Sequence, residues 1–478
     1  MTLSVVDSLL LRREGLIPIG LAIASLIALA LSSETHLAIG LLLLLALIVS
    51  VIPVARVGIL ILLLPFAHAG LGLEALPGFG LYDAYAAFFL LLFVIRFAVR
   101  EVFQFDRIPV LGLTGIMFLA FIPSILNSVD LRESFKALLQ FLVSALTAAG
   151  VYYYLAREQS EKIFLSLLTL FFIEAALIAG YGIVESTTSS SLLGVVTGRV
   201  YFGPFQDVNY YASYLLMAFA LAGGFIVIAK GVLLRLASAA AFVILLASVV
   251  STVSRSGIAT LILVSLFFTI YLGLSLRGAR KLLGVSFLLL FIGIISVLIF
   301  SGVGSKVVDM FTLSRRLETV VAGKDPSMEQ RSKILEVGTR VVAAHPIIGV
   351  GFGAFEKAFD DYKGAEISTG SSRAAHNTAL RILGETGLVG FIPSIVFVFV
   401  FLRYLIRAYR KIPDRRRRIL MASVIISICA FLLMSLALDM MFEPHFWVMV
   451  GLSLALASRY VVPAAGLTTP FPGSFEQR

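Results

Sequence analysis

The sequence predicts an all-α protein, a polytopic membrane helical bundle of about 12–14 transmembrane helices with one large extracytoplasmic helical loop. Of its 478 residues, 59% are hydrophobic and only 14% are charged, whereas a soluble domain contains about 25% charged residues. The mean hydropathy is +1.02, and apolar stretches of about 20 residues, the length that crosses a bilayer, recur along the chain. This composition excludes an ordinary cytosolic enzyme, a disordered protein and a nucleic-acid-binding protein.

About fourteen apolar segments are long enough to span a membrane, for which about 17–25 residues suffice. They cover residues 16–32, 37–52, 56–73, 82–99, 108–126, 135–155, 162–184, 208–229, 232–250, 256–275, 281–301, 386–408, 417–437 and 440–461. An even number of spans puts both termini on one side of the membrane. We therefore divide the chain into an N-terminal bundle of about eleven spans (1–301), a loop (302–380) and about three C-terminal spans with a short tail (381–478).

Basic residues set the orientation, because Lys and Arg accumulate in cytoplasmic loops. With a cytoplasmic N-terminus, the last inside loop holds Arg403, Arg407, Arg410, Lys411 and the run Arg415–Arg418. The short outside loops before residue 300 hold far fewer basic residues. Both termini are therefore expected in the cytoplasm and the long loop outside. The arginine run is interpreted as a topology signal, with binding of anionic lipids as the alternative.

The hydropathy falls between residues 300 and 380, which gives an outside segment of about 75–80 residues, a length that usually indicates function. Ser327 and Gln330 have the spacing of a capping box, which predicts the start of a helix. Apolar residues then follow on one helical face: Ile334, Val337 and Val341. His345, before a proline, ends this helix.

A second short helix in the loop is predicted by aromatic residues at helical spacing, Phe355, Phe359 and Tyr362. The glycine-rich segment Gly349–Gly353 between the two helices is interpreted as a flexible turn, since no βαβ unit surrounds it and a dinucleotide site needs one. Two amphipathic helices over the outer membrane face would cap a cavity there.

Three outside arginines, Arg199, Arg255 and Arg331, lie at the boundaries of predicted helices in unusual local sequences. A guanidinium group stays charged and offers a planar fork of N–H donors that matches phosphate oxygens. Such groups beside small hydroxyl-bearing residues suit a pyrophosphate whose lipid tail lies in the bilayer. The alternative is that Arg199 and Arg255 only anchor their helices by snorkelling to the interface.

His376 is the candidate general base, because His376-Asn377 ends the long loop and leads directly into the next membrane helix, on the same side as the arginines. His345 is interpreted as a helix cap, and His445 as part of a structural polar network. Glu174 falls near the middle of a span, where a charge is costly, so it has either a functional or a hydrogen-bonded packing role.

Four short motifs occur in order in the C-terminal half: Gly203–Asn209, Ser254–Gly257, His345–Phe355 and His376–Gly390. Together they resemble the motifs of the bacterial O-antigen ligase superfamily, which also contains O-antigen polymerases and O-linking oligosaccharyltransferases. The last motif is similar to the signature His-Asn/Ser/Gln, nine residues, Gly-x-x-Gly. One departure is Val208, which stands where the family usually has proline before Asn209.

The resemblance implies a metal-independent, inverting glycosyltransferase without a cofactor, working on the periplasmic face of the bacterial inner membrane. Its donor is a glycan on undecaprenyl pyrophosphate and its acceptor a sugar hydroxyl, with lipid A–core as the first choice. His376 takes the acceptor proton, and Arg199 and Arg255 bind the donor pyrophosphate, supplemented by Arg331 and Arg373. The supporting residues are Asp207, Asn209, Asn377, Gly387 and Gly390.

Several alternatives stay open at this point. An O-antigen or exopolysaccharide polymerase and a protein O-oligosaccharyltransferase would share the same donor and motifs. A transporter of lipid-linked glycans is a different class, but it should show internal repeats or paired broken helices, and the halves of the sequence show no convincing self-similarity. Gly384, Gly387 and Gly390 are expected to form a smooth helix face for close packing or for a prenyl chain.

Overall fold

A computed structural model describes residues 52–67, 80–100, 109–188, 205–275, 326–364 and 373–461, apart from residues 157, 159, 206 and 253. These ranges form an all-helical bundle in which no strand occurs. Its thirteen α-helices are α1 (Pro53–Leu63), α2 (Leu81–Arg100), α3 (Pro109–Ile125), α4 (Leu131–Leu155), α5 (Glu161–Thr188), α6 (Val208–Ile228), α7 (Val232–Ser251), α8 (Arg255–Ser275), α9 (Pro326–Ala344), α10 (Phe355–Tyr362), α11 (Thr378–Lys411), α12 (Arg415–Ser435) and α13 (Pro444–Val461).

Seven of these helices, α4 to α8, α11 and α12, are long and apolar enough to cross a membrane. Shorter apolar helices cover Val54–Phe66, Leu81–Ile95 and Val110–Ile125, at three further predicted spans, and α13 covers most of the last one. The predicted spans 16–32 and 281–301 lie outside the described residues, as does the span 37–52 apart from its last residue. The polytopic helical bundle is confirmed, while the span number of the whole chain stays a prediction.

Helix α6 lies at the centre of the bundle and has almost all of its side chains buried. Its sequence is apolar on every face, as is typical of a helix enclosed on all sides. It packs against α5, α7, α8 and α12. Its contact with α12 is close at Gly224, which faces Ser423, and the Ser427 hydroxyl donates to the Met217 carbonyl over 3.0 Å. Small residues and hydroxyl hydrogen bonds are typical of helix association in lipid.

The arginine run at the start of α12 contacts neighbouring helices, in addition to any role in setting the orientation of the protein in the membrane. Arg416 donates to the carbonyl of Ile228, at the end of α6, over 2.6 Å. Arg417 pairs with Glu161, at the start of α5, over 2.9 Å. Two of the basic residues therefore tie neighbouring helices together at this end of the bundle.

The two loop helices lie against the bundle and pack on each other. Helix α9 begins at Pro326, so Ser327 lies in its first turn and the predicted cap at Ser327 is wrong; proline is well suited to a first helical position because its φ is already helical. The bounds of α10, Phe355–Tyr362, confirm the second predicted helix. The predicted apolar residues of both helices form one buried cluster, which includes Ile334, Val337, Val341, Phe355 and Phe359. Helix α9 also contacts α11.

Helix α11 is broken at Gly387, whose backbone has φ 57° and ψ −161°. This conformation is essentially restricted to glycine, and a Cβ here would collide with the backbone of Ile347. The expectation of a smooth, continuous glycine face is therefore wrong at its central residue. Gly384 packs against Phe355 and Gly390 against Phe121, so both serve close packing and leave no open face for a prenyl chain.

The segment 346–351 fills the break in α11. Two amides that follow the break donate to carbonyls of this segment over 2.9 and 3.0 Å, and two amides of the segment donate to carbonyls before the break over 3.1 and 3.0 Å. Irregular backbone is tolerated in a membrane protein where protein groups satisfy it. Phe352 is buried and stacks on Phe121 with ring centroids 4.5 Å apart, so the interpretation of Gly349–Gly353 as a flexible turn is wrong.

Candidate functional site

His376 lies two residues before α11 and holds a left-handed backbone conformation, with φ 48°. For a residue with a Cβ this conformation costs roughly 1–2 kcal/mol, and such residues cluster at functional sites. The side chain of the neighbouring residue, Asn377, makes two hydrogen bonds. Its Oδ1 caps α11 by accepting from the Leu380 amide over 2.9 Å, and its Nδ2 donates to the Leu436 carbonyl over 2.9 Å.

The connection between α12 and α13, residues 436–443, packs against the start of α11. We call it the outer turn. The Thr378 hydroxyl donates to the Leu438 carbonyl over 2.7 Å and accepts from the Met440 amide over 2.9 Å. From α6, the Tyr210 hydroxyl donates to the Asp439 carbonyl over 3.0 Å. The outer turn is therefore held by α11 and by α6.

Burial lowers the pKa of the His376 imidazole from its ordinary value of 6.5. The negative charges of Asp439, Asp207 and Glu356 act in the opposite direction, and the positive charge of Arg331 adds to the lowering. These four charged groups therefore lie within electrostatic range of the ring. A lowered pKa keeps the imidazole neutral at pH 7, the form that can accept a proton.

Two of the sequence motifs meet at the start of α6. The Asp207 carboxylate caps this helix and accepts from the Asn209 amide over 2.7 Å. The Asn209 side-chain oxygen accepts from the Ser254 hydroxyl over 2.6 Å, and Ser254 directly precedes Arg255. The structure thereby joins the Asp207–Asn209 segment to the residue that directly precedes α8.

The four predicted pyrophosphate-binding arginines differ in how the structure places them. Arg331, on α9, acts electrostatically on His376, and Arg255 is half-buried at the start of α8. Arg373 is half-exposed and pairs with a carboxylate of α10 over 3.2 Å. Arg199 lies outside the described residues. Pyrophosphate binding by these arginines stays a prediction.

A comparison with protein families complements this geometry. Residues 240–395 match the family model described as O-antigen ligase. We call residues 240–395 the O-antigen ligase domain after this match. This match supports the O-antigen ligase/polymerase superfamily that the motifs indicate, a family of membrane glycosyltransferases or ligases. A comparison with curated proteins found no match to the chain.

The O-antigen ligase domain includes Arg255, Arg331, Arg373 and His376 and ends just after the break in α11. The family implies, in general terms, a lipid-linked glycan and a glycan acceptor. The outer turn and the Asp207–Asn209 segment lie outside the matched residues, yet both contact or surround the same site.

Within the O-antigen ligase domain, sequence reasoning missed the pair Arg381 and Glu385 on the N-terminal part of α11. The Arg381 Nε lies 2.9 Å from Glu385 Oε1, and the carboxylate also accepts from the Phe355 amide over 3.3 Å. The pair connects α11 to the start of α10. Its four-residue spacing, directly after His376-Asn377, is a helical ion-pair signal that could have found it.

Asp439, on the outer turn, is a third residue that sequence reasoning did not assign to the site. The negative charge of its carboxylate raises the pKa of the His376 imidazole. Its Oδ1 is buried and has no hydrogen-bond partner among the described residues. An unpaired buried acceptor is unfavourable by about 1–3 kcal/mol.

The remaining predicted ionisable residues have structural contacts. His345 directly follows α9, as predicted, and its amide donates to the Val341 carbonyl over 3.0 Å. Its side chain also connects segments, with Nδ1 2.9 Å from the Asn127 side-chain nitrogen and Nε2 2.8 Å from the Tyr362 hydroxyl. His445 joins the predicted polar network, with Nδ1 3.4 Å from Glu443. Glu174 is buried, and a tyrosine hydroxyl lies 3.5 Å from its carboxylate.

Proposed function

We propose that the protein is a metal-independent, inverting glycosyltransferase. It moves a glycan from undecaprenyl pyrophosphate to a periplasmic acceptor hydroxyl, and ligation of O-antigen to lipid A–core is our first choice. The observation that carries the proposal is the state of His376. This residue is strained, half-buried and neutral at pH 7, and it lies inside the O-antigen ligase domain at the outer end of α11.

The reaction assigns a proton transfer to His376. The acceptor hydroxyl attacks the anomeric carbon from the face opposite the pyrophosphate, and its proton passes to the neutral imidazole as the new C–O bond forms. The bond between the anomeric carbon and the pyrophosphate oxygen breaks, and undecaprenyl pyrophosphate leaves. Attack from the opposite face inverts the configuration of the anomeric carbon.

The leaving pyrophosphate gains negative charge as its bond to the sugar breaks, and nearby cations stabilise that charge. We assign this role to Arg199 and Arg255, with Arg331 and Arg373 as supplements, because a guanidinium fork matches phosphate oxygens. Within the described ranges, no three His, Cys, Asp or Glu side chains are grouped so that they could hold a metal ion. The arginines are therefore our candidates for charge neutralisation.

The proposed location is the bacterial inner membrane, with the site facing the periplasm and both termini in the cytoplasm. Helix α11 supports this orientation, because His376 precedes one end and Arg410 and Lys411 lie at the other. The start of α12 adds four arginines at that same end. Positive residues accumulate on the cytoplasmic side of membrane proteins, which leaves His376 outside.

A surface-polysaccharide gel tests the proposal in a strain that lacks the gene and is complemented with wild type, His376→Ala or Arg255→Ala. Ligation predicts that the ladder on lipid A–core is restored by wild type alone, while long chains accumulate on the lipid carrier in the other strains. Lipid A–core bearing a single repeat would indicate a polymerase instead. An unchanged gel in every strain would contradict both and direct the search to exopolysaccharide or protein acceptors.

The same proposal is tested in solution with the purified chain in detergent. Glycan transfer between an added lipid-linked donor and an added acceptor requires no membrane to be crossed. Transfer by wild type, and its loss in His376→Ala, would support an enzyme and exclude a transporter as the explanation. A folded wild-type protein that transfers no glycan to any acceptor would contradict the enzyme assignment.

A further inference from the structure

An apolar cavity of about 380 Å³ lies between α11, α12 and α13. Its walls include Phe391 and Ser394 of α11, Cys429 of α12 and Trp447 of α13. None of the residues that line it is charged. The cavity falls in the size range of ligand sites, about 300–1,000 Å³, and its chemistry fits a hydrocarbon.

The outer end of this cavity coincides with the candidate site. Thr378 and Met440 both line the cavity, and a hydrogen bond of 2.9 Å joins them. Thr378 is two residues from His376, and Met440 follows Asp439 in the outer turn. The cavity therefore extends from the polar site along α11 towards the interior of the bundle.

The side of the cavity is accessible from outside the described bundle. Ile395 and Leu436, which line it, have exposed fractions of 49% and 58%. Ile395 lies on α11, and an exposed apolar side chain on a membrane-spanning helix faces lipid, whereas Leu436 begins the outer turn. A chain that lies in the bilayer could enter the cavity sideways without crossing a polar surface.

We propose that this cavity binds the first isoprene units of the donor's polyprenyl chain. The inference rests on the proposed function and specifies where the lipid part of its donor lies. In a glycosyl polyprenyl pyrophosphate, only two phosphates separate the reacting anomeric carbon from the first isoprene unit. Because His376 must contact the hydroxyl that attacks this carbon, the polyprenyl chain has to begin close to His376, where the cavity begins.

The same reasoning disfavours the acyl chains of an acceptor lipid as the occupant. In lipid A–core, the core sugars separate the reacting hydroxyl from the acyl chains, so those chains need not lie near the site. The cavity also replaces the glycine face of α11 as the prenyl-binding surface, because Gly384 and Gly390 are covered by aromatic side chains.

The expected contribution of the cavity is positional. A prenyl chain that leaves the bilayer for an apolar cavity gains little hydrophobic free energy, because both surroundings are apolar. Packing of the chain in the cavity would instead hold the pyrophosphate at a fixed distance from His376. Such positioning of a leaving group is a recognised source of rate enhancement.

A photoreactive probe tests the proposal directly. The probe is a polyprenyl pyrophosphate without sugar that carries a benzophenone in its first isoprene units, added to the full-length protein in nanodiscs. We expect crosslinks in residues 391–402 and 429–436, and competition by undecaprenyl pyrophosphate but not by phosphatidylglycerol. Crosslinks confined to other helices, or equal competition by phosphatidylglycerol, would overturn the proposal.

Matched variants test the same cavity from opposite walls. Ser394→Phe on α11 and Cys429→Phe on α12 both add a ring inside it, whereas Val396→Phe adds the same ring on the exposed side of α11. We expect probe labelling to fall and the KM for a long-chain donor to rise about tenfold in the first two, a loss of about 1.4 kcal/mol. The control should match wild type, and a short geranyl donor should show little change in any variant.

Different results would contradict the proposed function and the proposed prenyl site. If the wild-type protein transfers no glycan but the probe still maps to the cavity, the proposed function is wrong and the prenyl site stands. If transfer proceeds while both folded cavity variants label and react as wild type, the prenyl site is wrong and the function stands. Thermal melting identifies variants that have not folded, and the wild-type crosslink map does not depend on them.

Discussion

The Ser254 hydroxyl donates a hydrogen bond of 2.6 Å to the side-chain oxygen of Asn209. This contact joins the start of α8 to the start of α6, two places that lie in separate motifs of the sequence. The Ser254 hydroxyl also accepts from the Gly257 amide over 3.1 Å, so it helps to form the first turn of α8. The position of Arg255, between these two residues, therefore depends on Asn209.

Asn209→Ala should weaken donor binding by acting through Arg255. Loss of one hydrogen bond is worth about 1 kcal/mol, so we expect kcat/KM for the donor to fall about fivefold, and much further in Arg255→Ala. The double variant should be no worse than Arg255→Ala alone in a double-mutant cycle. Additive losses would show that Asn209 acts independently, and the exposed outside Arg132→Ala serves as the control that should change nothing.

Replacement of His376 should remove the base while the backbone is retained. We choose His376→Asn, because asparagine also tolerates the left-handed conformation. Transfer should fall by about 10²–10⁴-fold, the usual contribution of general acid–base catalysis, with an unchanged melting temperature. Normal transfer by a well-folded His376→Asn protein would contradict the assignment.

The transfer rate of the wild-type protein should decrease on the acid side of neutrality. Burial lowers the pKa of His376 below 6.5, so the imidazole is neutral at pH 7 and becomes protonated only below that pKa. A protonated imidazole cannot accept the acceptor proton, and the rate should then fall about tenfold for each further pH unit. The residual rate of His376→Asn should lack this decrease, as measured in buffers of constant ionic strength.

Asp439→Asn should shift the acid-side decrease in the transfer rate to lower pH. The Asp439 carboxylate raises the pKa of His376 against the effect of burial, so its neutralisation should lower the pKa further. The matched control is Asp361→Asn, which removes an exposed carboxylate of α10 and should leave the pH profile unchanged. A shift to higher pH, or none, would contradict an electrostatic effect of Asp439 on the imidazole.

Gly387→Ala should destabilise the outer part of α11. The added Cβ would collide with the backbone of Ile347, and the φ of 57° is unfavourable for alanine, so the loss should exceed about 1 kcal/mol. Gly115→Ala, in α3, is the control, because its Cβ would meet no atom within 4 Å and alanine favours a helix. A melting temperature for Gly387→Ala equal to that of Gly115→Ala would show that the break is not required.

Local patterns predicted much of this architecture. Apolar length identified the spans of the described helices, and helical spacing identified the apolar faces of α9 and α10. The pair His376-Asn377 was recognisable because a polar motif ends the loop directly before an apolar helix. Its left-handed backbone was not, because φ depends on contacts of Asn377 with the outer turn, which lies about sixty residues away in the chain.

Long-range backbone pairing explains what the sequence did not reveal. Three glycines at three-residue spacing fit a continuous helix as well as a broken one, so the break at Gly387 could not be read from the pattern. The break exists because the segment 346–351 supplies the missing hydrogen bonds. Asp439 escaped assignment for a similar reason: only the fold of α12 and α13 brings its charge within electrostatic range of His376.

The break in α11 has a consequence for protein engineering. The loop segment 346–351 and the two parts of the helix complete one another's hydrogen bonding, so neither is a self-sufficient module. A chimera that exchanges residues 302–380 between two such proteins would leave a foreign loop facing the host's helix break. A transplant that continues through residue 395, where the family match also ends, would include the loop segment together with the break in α11 that it completes.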